Sequence, residues 1–83
     1  MKYFVYLVQC ADDSLYCGIT TDLNRRLSEH NGHGPNPGAK YTATRRPVRV
    51  KWWAEFENRS LASKEEYRIK QLTKAQKLQL INE

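Results

Sequence analysis

Tyr3-Phe4-Val5-Tyr6-Leu7-Val8-Gln9-Cys10 is a run of β-branched, aromatic and aliphatic side chains that stops at Ala11-Asp12-Asp13-Ser14. Both of its alternating faces are apolar: Tyr3, Val5 and Leu7 on one, Phe4, Tyr6 and Val8 on the other. A strand that is greasy on both faces belongs inside a sheet covered on both sides. Residues 15–19 read as a second strand, near enough to pair with the first as an antiparallel hairpin. Gly18 near its end permits close backbone approach.

Thr20, Thr21 and Asp22 then offer capping chemistry for a helix through about His30. Leu23 and Leu27 form its inward pair, and Arg26 and His30 project together along one edge of that stripe. Residues 31–38 are rich in glycine and proline and predict a loop. Residues 47–57 alternate cleanly. Val48, Val50, Trp52, Ala54 and Phe56 point one way, and Arg49, Lys51, Trp53, Glu55 and Glu57 the other, as expected of a half-buried strand. Asn58 and Ser60 can cap a helix over about 60–71 with Leu61, Ala62, Ile69 and Leu72 inward. Thr73 to Gln76 reads as a capping box opening a last helix with Leu78 and Ile81 inward. The order β-β-α-β-α-α predicts an α/β (α+β) fold, a three-stranded sheet with helices on both faces.

With 83 residues the chain is expected to form one domain, 1–83. Its composition, 40% hydrophobic with two tryptophans and five tyrosines, excludes a disordered chain. A net charge of +5 suits either a soluble basic surface or a polyanionic partner. Cys10 and Cys17 fit no zinc spacing and read as small core side chains. No secretory h-region opens the chain and no apolar run approaches the ~20 residues of a membrane helix. The expectation is a cytoplasmic protein with reduced thiols and no membrane partner.

Tyr6 and Tyr16 could simply anchor a core by their rings. Their strands, however, are joined by a short hairpin, and the following helix has little slack to carry Arg26 and His30 away. Arg26 could be a solvated charge or a bidentate phosphate clamp. His30 could be a satisfied, half-buried imidazole or a proton carrier. Glu65 and Glu66 suit the first turns of a helix electrostatically, and one carboxylate there could hold a hard divalent cation that keeps most of its waters. Lys40, Tyr41, Arg45, Arg46, Arg49 and Lys51 make a basic tract with an aromatic inside it and no acid between Lys40 and Lys51. Such a tract either solubilises a surface or grips nucleic acid by charge and stacking.

Taken together, Phe4-Val5-Tyr6, Tyr16-Cys17-Gly18, Arg26, His30 and the segment Ala62-Ser63-Lys64-Glu65-Glu66-Tyr67 resemble the GIY-YIG nuclease domain. The likeness is closest to small stand-alone bacterial members, through Tyr-Cys-Gly-Ile-Thr-Thr-Asp-Leu and Gly-Ala-Lys-Tyr-Thr. Phe4 stands in place of the family's first glycine and Cys17 in place of its isoleucine. The resemblance implies a metal-dependent endonuclease, structure- rather than sequence-directed, with a role in DNA repair or processing. Tyr6, Tyr16, Arg26, His30 and Glu66 would be its catalytic residues, and Glu66 would hold one Mg²⁺ or Mn²⁺, with Glu65 as the alternative. By that resemblance Tyr6 would be the general base or hand the water's proton onward, and to act as a base its pKa of ~10 would have to be lowered by cations such as the metal, Arg26 and Lys40. Nucleic acid is the implied partner, DNA ahead of RNA, with a protein partner supplying targeting. A weakly active or inactive nucleic-acid binding module on the same fold is the alternative, and a scaffold domain the third.

Overall fold

The computed structural model describes residues 1–33 and 38–82, so residues 34–37 of the predicted loop lie outside the described residues. Strands β1 (Tyr3–Gln9), β2 (Leu15–Thr20) and β3 (Arg49–Phe56) form one sheet in the order β2-β1-β3, antiparallel throughout. Helices α1 (Leu23–His30), α2 (Lys40–Ala43), α3 (Arg59–Lys70) and α4 (Lys74–Ile81) complete it. Among the described residues no helix is long and apolar enough to cross a membrane.

The hairpin turns where Asp13 takes a left-handed conformation (φ 66°), which aspartate tolerates better than most side chains. The Asp12 carboxylate accepts from the Ser14 amide at 3.1 Å and braces the turn. Asp22, Asn58 and Thr73 cap α1, α3 and α4, the last through a full capping box.

The doubly apolar β1 is covered on both faces. On one, Val5, Leu7, Cys17, Ala62 and Ile69 form a core with Trp52, Phe56, Leu72, Leu80 and Ile81 packed against it, under α3 and α4. On the other, Val8, Cys10 and Val48 cluster with Tyr16, Leu27 and Val50, toward α1.

Three details differ from the pattern in the sequence. The inward set of β3 divides between the two faces, because Leu7 pairs with Trp52 while Val8 pairs with Val50. Lys51 is the extra residue of a β-bulge, and a one-residue slip sends the rest of the strand to the opposite face. Leu61 is 44% exposed. Ala62 and Ile69, two helical turns apart, define the buried line of α3, and Leu61 is rotated about 100° from it. The single turn α2 has no counterpart in the sequence pattern; four residues without a side-chain cap leave no periodicity to read.

Candidate active site

Tyr6 stands opposite Gly18 in the β1–β2 ladder, and its ring lies across that glycine. A Cβ at position 18 would come within 2.5 Å of Tyr6 Cζ. The bare backbone therefore lets the phenol reach His30, the last residue of α1, with Oη 2.7 Å from Nε2. His30 Nδ1 lies 2.9 Å from Thr42 Oγ1 on α2, and that hydroxyl donates to the Ala39 carbonyl at 3.0 Å. A hydroxyl that donates there must accept from Nδ1–H, which leaves Nε2 as the acceptor of the Tyr6 proton. The Ala39 amide reaches Nδ1 only at 3.4 Å, so the shorter bond decides the tautomer. Tyr6, His30 and Thr42 are all buried.

Burial pushes Tyr6 up to about 12, against hydrogen bonding and charge from Arg26 that pull it down. The expectation that neighbouring cations lower this phenol is thus reversed in the free protein: desolvation wins. Burial also pushes His30 down to about 4, with Arg26 and Arg46 adding to the shift and Glu29 opposing it. At neutral pH the pair is a phenol and a neutral imidazole.

Tyr16 meets the edge of the His30 ring at 5.4 Å between centroids and stacks on Tyr41 at 5.7 Å. Arg45 lies over Tyr41 at 4.1 Å and its Nε is 3.1 Å from Asp12. A file of π-systems and a cation therefore runs from the surface to the buried histidine. Arg26 is half-buried and donates to Glu29 at 2.9 Å. Glu29 is 4% exposed and also faces Arg25 at 3.9 Å. In α1 the charged and polar end, not the leucine pair, is the most buried part.

Glu66 lies elsewhere. It projects from α3 beside Cys17, whose thiol burial pushes up to about 12 with Glu66 adding to the rise. Cys17 points to the α3 side of β2 and Tyr16 to the α1 side. The carboxylate and the tyrosine–histidine centre thus flank the edge strand β2, and no hydrogen bond or ion pair joins them among the described residues. Glu65 is bound by both arms of Arg68 at 2.6 and 2.9 Å, which hold its pKa low. Among the described residues Glu66 pairs only with Lys70, at 3.5 Å. Of the two, Glu66 is the less engaged carboxylate and the one that could hold a hard cation. No cluster of three or more His, Cys, Asp or Glu side chains occurs among the described residues.

The basic tract is dispersed. Lys40 and Tyr41 sit on α2, and Arg45 is engaged by Tyr41 and Asp12. Arg46 donates to the His30 carbonyl at 2.8 Å. Arg49 and the bulge residue Lys51 remain exposed on β3. Two members of the polar centre escaped the sequence reading. Glu29 was signalled by its i,i+3 spacing from Arg26. Thr42 carried no signal, since only the tertiary fold brings α2 over His30.

Residues 2–79 match the family model of the GIY-YIG catalytic domain. Over 79 residues the chain is 51% identical to a UPF0213 protein of Desulfotalea psychrophila, covering 95% of this chain and 70% of that one. A UPF0213 protein of Staphylococcus haemolyticus is 45% identical over 82 residues, 99% of this chain and 96% of that one. Among solved structures, a protein of E. faecalis superposes with a TM-score of 0.66 at 44% identity, covering 99% of this chain and 84% of the other. The UPF0213 protein of Bacillus halodurans gives 0.62 at 38% identity, with the same coverage. The chain belongs to the GIY-YIG family, and its relatives are small bacterial UPF0213 proteins.

Proposed function

From that membership we propose that the protein is an endonuclease that hydrolyses phosphodiester bonds, its centre formed by Tyr6, Tyr16, Arg26 and His30 with Glu66 across β2. At family level the domain is that of nucleic-acid endonucleases. The observation that carries the reading is the oriented chain Tyr6–His30–Thr42–Ala39, buried beside an arginine. Burying such a chain is costly unless every member is satisfied, and it serves to move one proton in one direction.

A phenol at about 12 is a poor base by itself at neutral pH. Tyr6 therefore acts as a relay: its oxygen takes the water's proton while its own proton passes to His30 Nε2. His30 is a weak base in the free protein, and the negative charge of a bound phosphate raises its basicity at the moment of transfer. The Nδ1–H bond to Thr42 holds the imidazole in the accepting orientation. Arg26, with Nη1 held by Glu29, turns its remaining donors to the phosphate and stabilises the added charge. Tyr16, fixed by Tyr41, positions the water or the phosphate. GIY-YIG nucleases generally depend on a divalent cation, and Glu66 would hold Mg²⁺ or Mn²⁺ there, supplying charge neutralisation at the leaving oxygen.

The test is cleavage of flap, single-stranded, duplex and RNA substrates with Mg²⁺ or Mn²⁺. Tyr6→Phe should lower the rate by about 10²–10⁴-fold, with comparable losses for Arg26→Ala and Glu66→Ala. Undiminished cutting by Glu66→Ala would remove the metal assignment. Salt-sensitive binding without cutting would replace the nuclease by a binding module on the same fold.

A further inference from the structure

Where β2 ends, between the first turns of α1 and α3, a cleft is lined by Ile19, Thr20, Arg25, Arg26, Glu29 and Arg59. Three guanidinium groups from two helices face one carboxylate across it. Glu29 is buried against Arg26 at 2.9 Å and lies 3.9 Å from Arg25. Arg59 makes no ion pair among the described residues, and Arg25 is 59% exposed in its side chain. Positive charge is therefore left over on both walls. Every cation here is arginine, the side chain whose planar fork matches a phosphate in two bonds.

The cleft is separate from the proton chain, since neither Tyr6 nor His30 lines it, but Arg26 belongs to both. Arg59 and Glu66 are seven residues apart on α3, hence two turns, on one side of the helix and about 10 Å apart along it. Glu66 lies beside Cys17 and Arg59 beside the Ile19 end of the same strand. A polyanionic strand laid along the β2 edge would pass both.

We infer that this cleft is a subsite for a second backbone phosphate of the nucleic-acid strand, flanking the one that is cut and held by Arg25 and Arg59. The inference rests on the nuclease reading and adds to it how the strand is registered. Contacts to phosphate carry no base information, but they fix position and direction. With one phosphate on Arg26 and a neighbour between Arg25 and Arg59, the strand lies with a single polarity.

The test uses oligonucleotides in which one phosphate at a time is replaced by a neutral methylphosphonate. Binding is measured in metal-free buffer with the wild type, Arg25→Ala/Arg59→Ala and Arg59→Lys. One position beside the cut should weaken wild-type binding about tenfold, the size expected for a charge-assisted bond. At that position the double variant should lose little more, and Arg59→Lys, which keeps charge without the fork, should fall between. The salt slope of the double variant should drop by about 0.9 per lost contact on duplex, or about 0.7 on single strands. Identical methylphosphonate profiles and slopes for wild type and double variant overturn the subsite. Cleavage run in parallel separates the two readings. A raised KM with kcat kept supports the subsite, and unchanged kcat/KM removes it while the nuclease stands. A wild type that binds but never cuts removes the nuclease, and the methylphosphonate profile still decides the subsite.

Discussion

Both faces of β1 are buried, one wholly apolar and the other carrying a hydrogen-bonded polar chain beside a smaller apolar cluster. Toward α3 and α4, Val5 and Leu7 meet Ala62 and Ile69, all fully buried and all apolar. Toward α1 and α2, Tyr6, His30, Thr42 and Glu29 are almost as inaccessible, yet each carries polar atoms with a partner. No buried side-chain polar atom lacks a hydrogen bond among the described residues. The apolar face needs volume and nothing more specific, so it carries stability. The polar face gains little net stability from its hydrogen bonds, but any broken link leaves a desolvated group behind. Purely apolar packing and the buried hydrogen-bonded chain thus lie on opposite sides of one strand.

That division can be broken in order of expected size. Ile69→Ala should cost about 2–5 kcal/mol in denaturant unfolding, from lost burial and the cavity left behind, with kcat per folded molecule unchanged. A stable Ile69→Ala protein that no longer cuts would erase the distinction. The next effect is pH. The folded pKa of His30 is depressed to about 4, while an unfolded histidine titrates near ~6.5. Between these values the unfolded chain binds more protons, so the stability due to neutral His30 is complete above about pH 6.5 and is lost as pH falls toward 4. Roughly 3 kcal/mol should disappear across that window, since each tenfold change in proton affinity is worth about 1.36 kcal/mol. Carboxylates held low by their partners, such as Glu65, begin to lose their contribution in the lower part of this window, near the unfolded carboxylate pKa of ~4.3, and continue below it. An imidazole signal from His30 that titrates near ~6.5 by NMR would contradict the buried chain. The smallest effect is Gly18→Ala, about 1–3 kcal/mol of overpacking against the Tyr6 ring. Cleavage should fall further than stability does, because the displaced phenol loses His30; equal losses would show that the phenol's placement is not special.

Much of this architecture was legible. The hairpin, α1, α3, the capping box of α4 and sheet cover on both faces follow from local patterns that short-range physics enforces. The alternation over Val48 to Phe56 was visible too, but its division between faces was not. A bulge at Lys51 depends on how β3 pairs with β1, which no pattern within β3 encodes. The side chains of the candidate centre were visible as residue types, and their connections were not. Thr42 became a partner of His30 only through the packing of α2. The direction of the Tyr6 shift was hidden because it is a balance between burial and Arg26.

Periodicity, capping and turn chemistry act over a few residues, and so the linear chain by itself determined the three strands, the three longer helices, their order and the double covering of β1. Which proton the imidazole carries and which arginines share a cleft depend on distances between segments far apart in the chain. Those were decided by the tertiary structure alone, because electrostatic and hydrogen-bond energies depend on separation and desolvation, and neither exists until the segments are packed together.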